Sequence, residues 1–539
     1  MTVAANSAGT TGTAGPPGTA APEGPGGAET LHGGPDRPGL GPRLDALTAA
    51  ARRNPLVAWA IRYAAWVGPV AIALFAGVLR FTALGHPHDF VFDETYYPKD
   101  AWSLLQQSYE GTWPDNANAK ILATPQQIPL SPAAEFIAHP QLGKWIISIG
   151  EALYGLNPFG WRFMTALLGT VVVLITCRIG RRLFRSTLIG CTAGLLLAVD
   201  GLSVVLSRVA LLDGVLTFFV LCAFGCLLVD RDKARERLAA GLGRGWRPWR
   251  IAAGVALGCA CGTKWNGAYF IVGFGLLTVL WDAGARRRYG AKSPYPNMLL
   301  RDAPTAFASL VILPAVLYVS SWAGWFMSDG GWDRHWAPGS GFGPTMRSWL
   351  HYQWQMWQFN TTLTSPHTYQ SNPWSWLVMA RPVSMYWHTV NTGANGCTAN
   401  GGCTQDILAL GTPLLWWAAC AALVYAVYRW GFRRDWRFGA VLCAVASGWL
   451  PWLLYQDRTV FSFYMVVIAP YMCLALAGML GAVLGPVGCS PQRRVTGGIA
   501  AGALVLAIMA CFAYFYPIYT AEQISMSAWR ARMWWTSWI

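Results

Sequence analysis

Eleven apolar segments, each about 20 residues long, are the feature that most constrains the fold of this chain. A helix of that length spans the hydrocarbon core of a bilayer, so we predict eleven membrane-spanning helices. Their centres lie near residues 71, 172, 196, 221, 258, 276, 313, 418, 446, 471 and 506. Only 12% of the 539 residues are charged, which excludes a soluble enzyme, a nucleic-acid binder and a secreted disulfide scaffold. The sequence predicts an all-α polytopic membrane protein.

The distribution of Lys and Arg predicts the orientation of these helices. Basic residues accumulate in the N-terminal tail and in alternate loops, such as RIGRRLFRS and ARRRYGAKSPYPNMLLRD. Because Lys and Arg are retained on the cytoplasmic side, we place the N-terminus in the cytoplasm and the C-terminus on the extracytoplasmic face. The net charge of +15 therefore reflects membrane topology, and we expect no nucleic-acid partner.

The same pattern divides the chain into four regions. Gly, Pro and Ala dominate the first of them, which predicts a disordered cytoplasmic tail. Two long extracytoplasmic loops are the places where we expect a functional site. In the first loop, LGKWIISIGEALYG is too short to span and is predicted to be an interfacial or re-entrant helix. The predicted regions are the tail at 1–54, an N-terminal membrane region at 55–322 with its long loop at 85–158, a second long loop at 323–406, and a C-terminal membrane region at 407–539.

An acidic pair lies near the start of the first long loop. Asp93 and Glu94 occur in FDETYYPKDAW, a few residues after the first apolar segment and beside aromatic residues. Ionisable groups at a membrane are costly and are therefore functional candidates. Two carboxylates beside aromatic rings suit a site that needs a general base and a hydrogen-bond acceptor. A solvated loop turn is the alternative interpretation.

Several cations lie near the outer ends of the apolar segments, away from the loops that the positive-inside rule explains. These cations are Lys144, Arg208, Lys264, Arg381 and Arg458. Their joint placement near carboxylates predicts a site for a lipid-linked phosphate, which a guanidinium binds through its planar fork. A structural ion pair with Asp200 or Asp213 is the alternative for Arg208. For Lys264 the alternative is an extension of the side chain toward the headgroups.

Seven of the eight histidines lie on the predicted outer side. His86 and His88 are a conceivable zinc pair, but no four-ligand spacing accompanies them, so we predict no metal site. Cys397 and Cys403 are the only cysteines in an outer, oxidising loop and are placed to form a disulfide. The sequence contains no P-loop and no convincing nucleophile elbow.

Four motifs resemble the protein O-mannosyltransferase family in order and approximate spacing: FDETYYPKDAW, HPQLGKW, SRVALLDG and GTKWNG. Later segments, such as PWSWLVMARPVSMYW and DRTVFSFYMVVIAPY, resemble the C-terminal membrane region of that family, with the actinobacterial branch as the best match. The resemblance covers about residues 60 to 516. It implies a GT-C glycosyltransferase fold with eleven spans, a polyprenyl-phosphate-mannose donor, a Ser or Thr acceptor on a translocating protein, and inversion of the anomeric carbon. The second long loop is too short for the β-trefoil module of the eukaryotic members.

The resemblance, together with the chemistry of the transfer, suggests roles for individual residues. The acidic pair of the family falls on Asp93 and Glu94, so we expect Asp93 to act as general base and Glu94 to orient the acceptor or to assist the base. Cations that would stabilise the departing phosphate are Arg208 and Lys264, followed by Lys144 and Arg458. Residues expected to bind substrate or to be structural are His139, Asp200, Asp213, Asn266 and Arg381. The scheme requires no cofactor, and we do not expect a divalent metal.

Three other functions are alternatives to a protein O-mannosyltransferase. A GT-C enzyme that glycosylates a cell-envelope glycolipid or glycan would use the same acidic pair and cations. A transporter would show two related halves with broken helices, and the sequence has no such repeat. An assembly subunit with an inactive site does not explain the intact acidic pair. Association with the secretion translocon is an expectation from the family alone.

Overall fold

Prolines and small polar residues determine where several of the helices begin. Pro158, Pro248 and Pro413 each occupy the first turn of a helix, where the absent backbone N–H costs nothing and the ring presets the helical φ angle. Asn157 caps the first of these helices, since its side-chain oxygen accepts a hydrogen bond from the Gly160 N–H. These starts define the ends of the bundle.

The computed structural model describes residues 63–539 with gaps at 125–129, 243–244 and 487. The predicted disordered tail at 1–54 lies outside the described residues. The helices of the N-terminal part are α1 (Ala64–Phe81), α2 (Tyr97–Gln107), α3 (Ala117–Ala123), α4 (Leu142–Tyr154), α5 (Pro158–Phe184), α6 (Thr187–Ala198), α7 (Gly201–Arg208), α8 (Leu212–Ala239), α9 (Pro248–Thr263) and α10 (Gly267–Arg288).

The C-terminal part combines further helices with three strands. Its helices are α11 (Pro294–Ser320), α12 (Ala323–Met327), α13 (Phe342–Thr362), α14 (Pro413–Gly431), α15 (Trp436–Trp449), α16 (Ala469–Leu484), α17 (Pro491–Phe515) and α18 (Met526–Arg532). Its strands are β1 (Val383–Val390), β2 (Cys403–Ala409) and β3 (Ile524–Ser525). Short 3₁₀ turns lie at Phe92–Thr95, Pro373–Val378, Leu450–Leu454, Ser462–Ile468, Tyr516–Tyr519 and Thr536–Trp538.

Within the described part of the chain, seven helices are long and apolar enough to cross a membrane, and a bent pair would make eight. The bent pair is α6 with α7, which meet at an angle of 61°. All eleven predicted centres fall inside helices, and the four near residues 71, 196, 258 and 418 fall in helices outside the set of seven. The chain is therefore a multi-pass membrane protein, and the count of eleven crossings stays a prediction.

The centre of the bundle is formed by α7 and the first half of α16. All eight residues of α7 are buried, and the stretch 469–478 at the start of α16 is also buried. A helix that is buried on every face needs apolar neighbours on all sides, and α5, α6 and α14 provide many of them. This core supports the loops at the end of the bundle where α7 finishes.

Asp200 marks the break between α6 and α7, whereas the sequence predicted it inside a continuous apolar helix. Its carboxylate accepts a hydrogen bond from the Ser203 N–H at 3.0 Å and so caps α7. The other carboxylate oxygen accepts hydrogen bonds from the Thr412 N–H at 3.2 Å and from the Trp416 indole at 2.8 Å. One side chain thus ties the starts of α7 and α14 together, which is a structural role.

A small antiparallel sheet corrects the all-α prediction. The strand order is β1-β2-β3, and β1 pairs with β2 from Val383 opposite Ala409 to Val390 opposite Cys403. The sequence of β1, VSMYWHTV, is rich in β-branched and aromatic residues that favour strands. Cys397 and Cys403 form a disulfide in the connection between the two strands. The described part of the protein is therefore mostly helical with one small antiparallel sheet.

Candidate active site

Asp93 lies in the 3₁₀ turn just before α2, at the end of the bundle that carries the long loops. The Tyr97 hydroxyl is 3.5 Å from Asp93 Oδ2. Burial raises the pKa of Asp93 to about 6, a rise that the nearby Lys264 ammonium opposes and the Asp213 carboxylate reinforces. A partly exposed carboxylate with such a pKa is ionised at neutral pH and is a stronger base than an ordinary aspartate.

Glu94, the other member of the acidic pair, is completely buried. Its two oxygens accept hydrogen bonds from the Arg162 guanidinium, Nε to Oε1 at 2.8 Å and Nη2 to Oε2 at 2.7 Å. Backbone N–H groups of Val91 and Ala210 donate to the same oxygens, each at 2.9 Å. The carboxylate therefore has a full set of partners. The expected role of Glu94 in orienting the acceptor does not fit this position, because the carboxylate is enclosed and both of its oxygens already accept hydrogen bonds.

Arg162 is the residue of this site that the sequence prediction missed. Besides Glu94, its guanidinium donates to the backbone carbonyls of Leu84, Pro87 and Asp89 at 3.3, 2.9 and 2.8 Å. One side chain from α5 therefore holds the whole segment that leads to Asp93. The available signal was an isolated Arg in WRFMTALLG, at the start of an apolar helix where a charge is costly.

The backbone at Phe92 is strained, with a φ of 51° that bulky residues rarely adopt. The Phe92 ring packs edge-to-face against Phe461 and Phe463, with ring centroids 6.0 and 5.7 Å apart, and against His367 at 6.3 Å. These rings fix the residue that precedes Asp93. Strain of this kind persists only where the surroundings enforce it, and it often accompanies functional sites.

Lys264 and Asp213 form a buried ion pair near Asp93. The Lys264 ammonium lies 3.0 Å from Asp213 Oδ1 and 2.9 Å from Oδ2, and it also lies over the Tyr464 ring at 4.5 Å from the centroid. Lys264 follows the last residue of α9 and Asp213 lies in the first turn of α8. Asp213 thus balances the charge of Lys264, and Lys264 lies on the inner wall of a large cavity.

This cavity has a volume of about 750 Å³ and begins beside Lys264. Its polar end is lined by His139, Lys264, Asn266, Asn360, Tyr455 and Arg458. The rest of its wall is apolar and follows α10 and α11, with Val272, which is 73% exposed, at the outside of the bundle. A cavity with a cationic end and an apolar flank that reaches the outside of the bundle suits a lipid-linked anion.

Two polar atoms at this end of the cavity have no hydrogen-bond partner among the residues that the structure describes. They are the side-chain oxygen of Asn266 and Nε of Arg458. Arg458 Nη2 donates to the Asn360 side-chain oxygen at 3.1 Å, which aligns the guanidinium. Buried polar groups are normally satisfied, so two unsatisfied atoms in one cavity wall indicate a place where a ligand supplies the missing partners.

His139 lines the same cavity, with its ring 6.3 Å from that of Tyr97. Burial, together with the charges of Lys264, Lys144 and Arg458, lowers the pKa of His139 well below its ordinary value. The imidazole is therefore neutral at physiological pH. It can donate or accept one hydrogen bond beside the cationic end without adding charge.

Two of the cations predicted to bind phosphate have other partners. The Arg208 guanidinium donates to the backbone carbonyls of Leu79, Arg80, Thr82 and Ala83 at 2.6–3.3 Å and so closes the C-terminal end of α1. It forms neither of the ion pairs considered from the sequence, since Asp200 caps α7 and Asp213 pairs with Lys264. The predicted phosphate role does not fit the position of Arg208.

Lys144 is also in a structural position. Its ammonium is fully buried and lies 2.5 Å from Glu110 Oε1 and 3.8 Å from Asp100 Oδ2. Burial raises the pKa of Asp100 to about 8, although Lys144 opposes the rise.

Arg381 donates to the carbonyls of Ser537 and Ile539 at 2.5 and 2.7 Å and so holds the C-terminal segment. Of the four predicted phosphate ligands, the structure brings only Lys264 and Arg458 to the cavity.

Within the described residues, no group of three or more His, Cys, Asp or Glu side chains is placed to hold a metal ion. His86 has a different partner, because its Nε2 lies 2.9 Å from the Ala521 carbonyl oxygen.

The architecture of the bundle is shared with a solved structure. The protein O-mannosyltransferase complex of Saccharomyces cerevisiae, bound to the sugar donor, superposes with a TM-score of 0.67 at 15% identity, over 88% of this chain and 92% of that chain. The fold is therefore the GT-C fold of membrane glycosyltransferases.

Sequence comparisons give the family. Residues 70–323 match the profile described as dolichyl-phosphate-mannose-protein mannosyltransferase, and residues 345–538 match the C-terminal four TMM region of protein-O-mannosyltransferase. A polyprenol-phosphate-mannose–protein mannosyltransferase of Mycobacterium tuberculosis is 38% identical over 504 residues, which cover 88% of this chain and 92% of the relative. One of Corynebacterium glutamicum is 32% identical over 499 residues, which cover 87% and 92%. The chain belongs to the protein O-mannosyltransferase family.

Proposed function

We propose that this protein transfers a single mannose from polyprenyl-phosphate-mannose to Ser or Thr hydroxyls of exported proteins, with inversion of the anomeric carbon. The observation that carries the proposal is the placement of Asp93, whose pKa is raised to about 6, near the Lys264 end of a cavity with an apolar flank. The names of the mycobacterial and corynebacterial relatives support the donor and the acceptor class.

The donor occupies the cavity in this proposal. The polyprenyl chain lies along the apolar wall of α10 and α11, and its phosphate lies at the cationic end near Lys264 and Arg458. The unpartnered Arg458 Nε donates to a phosphate oxygen, and the unpartnered Asn266 oxygen accepts from a sugar hydroxyl. No cofactor takes part in this scheme.

Asp93 acts as the general base. Its carboxylate accepts the proton of the Ser or Thr hydroxyl while that oxygen attacks C1 of the mannose from the side opposite the phosphate. The bond from C1 to the phosphate oxygen breaks, and its electron pair leaves with the polyprenyl phosphate. Arg458 and Lys264 stabilise the negative charge that develops there, so no acid is needed for the leaving group. Attack opposite the leaving group inverts the anomeric centre.

Glu94 and Arg162 position the base in this mechanism, and neither touches a substrate. The pair fixes the loop from Leu84 to Glu94 against α5, and Asp93 is the residue before Glu94. A general base must stay within hydrogen-bond reach of the attacking hydroxyl, so the rigidity of this loop contributes directly to the rate.

The proposal includes a membrane topology with eleven crossings. The N-terminus lies in the cytoplasm, and the active site and C-terminus lie on the extracytoplasmic face of the cell membrane. Support comes from the distribution of basic residues, which concentrate at the end of the bundle away from Asp93. Acceptors that meet the site while still unfolded would arrive from the secretion translocon, which is the partner we propose.

Activity should depend on pH through Asp93. The base acts as the carboxylate, so protonation removes activity, and kcat/KM should fall about tenfold per pH unit below about 6. Initial rates at constant ionic strength and limiting donor measure this profile. The exposed Asp115 in the same loop offers a matched control, and Asp115→Asn should keep the wild-type profile. A profile that stays flat from about pH 5 to 7 contradicts the assignment of the base.

Arg458→Gln should weaken use of the donor. A hydrogen bond to a charged group contributes about 1.5–3 kcal/mol, so kcat/KM for the lipid donor should fall roughly ten- to hundredfold, whereas saturation by the peptide should hardly change. Arg347→Gln, which removes an exposed arginine from α13, is the matched control. Steady-state rates over a series of donor concentrations measure the effect. Equal values of kcat/KM for the donor in both variants would contradict the assignment of Arg458 to the phosphate site.

The second candidate function, transfer to a cell-envelope glycolipid, uses the same base and cations. An acceptor competition separates the two. Purified protein receives radiolabelled polyprenyl-phosphate-mannose together with a Ser/Thr/Pro-rich peptide and a total extract of envelope lipids. Label in the peptide fraction supports the proposed function, and label only in a new glycolipid supports the alternative.

A further inference from the structure

A second hollow lies at the end of the bundle opposite Asp93. It has a volume of about 620 Å³ and is formed by α1, α5 and α8. Helix α5 starts next to the first long loop and extends for 27 residues, a length of roughly 40 Å, so its last turns are far from the active site. The hollow is therefore separate from the donor cavity.

One wall of this hollow is a stripe of arginines near the end of α5. The arginines are Arg178, Arg181, Arg182 and Arg185. Arg181 and Arg182 follow Arg178 by three and four residues and so lie on the same face of α5, and Arg185, the residue after the helix, lines the same hollow. Four guanidinium groups in one hollow create a positive potential that attracts an anionic ligand.

Within the part of the chain that the structure describes, one carboxylate lines the hollow, that of Asp232. Arg182 pairs with Asp232 at 2.6 Å, and Asp232 is shared with Arg231 at 3.0 Å. Arg178 instead donates to a backbone carbonyl of α1 and stacks on Trp66, with its guanidinium carbon 3.7 Å from the ring centroid. Arg181 donates to a threonine hydroxyl at 3.2 Å. Among the described residues, no carboxylate forms an ion pair with Arg178, Arg181 or Arg185.

Other arginines at the same end of the bundle are neutralised. Arg247 contacts Asp230 at 2.5 Å and Asp282 at 2.7 Å. Arg286 contacts Asp302 at 2.5 Å. These pairs show that the fold can supply carboxylates to arginines at this end. Among the described residues, Arg178, Arg181 and Arg185 have no such carboxylate partner.

The remaining walls of the hollow are apolar and lie deeper in the bundle. Leu174 and Ile175 precede the arginines by one turn of α5, and Gly225 and Val229 face them from α8. Cationic groups at the mouth and an apolar wall below them match the two parts of a phospholipid. Basic pockets between membrane helices bind anionic lipid head groups in this way.

We propose that the α5 hollow is a binding site for an anionic phospholipid. The phosphate diester accepts hydrogen bonds from Arg178, Arg181 and Arg185, and the acyl chains lie against Leu174 and Ile175. Free inorganic phosphate would satisfy the arginines but not the apolar wall, so the lipid is the ligand that fits both. The site does not depend on the mannosyltransferase reaction.

The test uses the full-length protein in nanodiscs of phosphatidylcholine with a minor fraction of phosphatidylglycerol. After transfer to a mild detergent, native mass spectrometry counts the lipids that stay bound. The test variant is Arg178→Gln/Arg181→Gln/Arg185→Gln. The matched control is Arg287→Gln/Arg288→Gln/Arg494→Gln, which removes three exposed arginines from α10 and α17 and so changes the charge equally. Added inorganic phosphate is a separate arm.

We expect the wild type and the control to retain phosphatidylglycerol in preference to phosphatidylcholine. Each basic residue near an anionic lipid contributes about a fivefold factor, so the triple variant should lose roughly a hundredfold in affinity. Inorganic phosphate should not displace the lipid. Displacement by phosphate alone would make the ligand a free anion and overturn the lipid assignment, as would equal lipid retention in the test and control variants.

Arg178 also contacts α1, so the triple variant could lose lipid through misfolding. Arg181→Gln/Arg185→Gln leaves that contact intact and removes only two of the donors. This double variant should elute as the wild type does in size-exclusion chromatography and lose about twenty-five-fold in lipid affinity. Wild-type affinity in a folded double variant would overturn the proposal.

Discussion

Replacing Asp93 with Asn should lower the rate of mannosyl transfer by roughly two to four orders of magnitude. Asparagine has the same shape and keeps an oxygen that can accept from Tyr97, but it cannot take a proton from the acceptor hydroxyl. Binding of the lipid donor should persist, because Lys264 and Arg458 are unchanged. Initial rates at saturating donor and peptide measure the loss.

The control for this experiment is Asp115→Asn, which removes a negative charge from an exposed position of the same loop. It should transfer mannose at close to the wild-type rate. If Asp93→Asn retains more than about one-tenth of the activity, the carboxylate is not the base and the mechanism needs another group.

Arg162→Met should have the second largest effect. It should lower both the stability of the protein and the rate of transfer. The substitution leaves the Glu94 carboxylate buried without its cation, which costs about 3–5 kcal/mol. It also removes three hydrogen bonds to the loop that carries Asp93. Unfolding by a denaturing detergent, followed through the helical circular dichroism signal, measures the change in the free energy of unfolding.

The double variant Arg162→Met/Glu94→Gln tests the cause of that loss. Removing the charge of Glu94 as well should recover part of the stability lost in Arg162→Met, because no uncompensated charge remains in the core. Lys233→Met, which breaks an exposed pair with Glu236, should change the free energy of unfolding by less than about 1 kcal/mol. If the double variant is no more stable than Arg162→Met, the buried charge is not the source of the loss.

The membrane helices were predictable because each one needs about 20 mostly apolar residues in a row, a pattern that is visible in the sequence. Each of the eleven predicted centres lies in a helix, and the short helix predicted at LGKWIISIGEALYG is α4. The break at Asp200 escaped prediction because the carboxylate caps one helix and also binds the start of α14, more than 200 residues away. The sheet was missed because the residues of β1 lie in a long segment rich in aromatic residues. Their strand structure depends on pairing with β2.

For the candidate site, the sequence singled out charged residues but could not predict which partners each of them has. Asp93 and Lys264 were identified from charge at the outer ends of apolar segments. The same criterion also selected Arg208 and Lys144, whose partners are backbone carbonyls of α1 and the Glu110 carboxylate. A charged residue near the membrane surface has similar sequence neighbours whether its side chain binds a substrate or caps a helix. Only tertiary contacts distinguish these cases. They also show that Arg162 holds the segment that leads to Asp93.

The central claim is best tested by mannosyl transfer with the purified full-length protein in lipid. The reaction contains β-linked polyprenyl-phosphate-mannose and a Ser/Thr/Pro-rich peptide, and a parallel reaction contains the peptide with every Ser and Thr changed to Ala. We predict label on the first peptide only, in a form that α-mannosidase releases. Label that appears on neither peptide, or that β-mannosidase releases, would contradict an inverting transfer to protein hydroxyls.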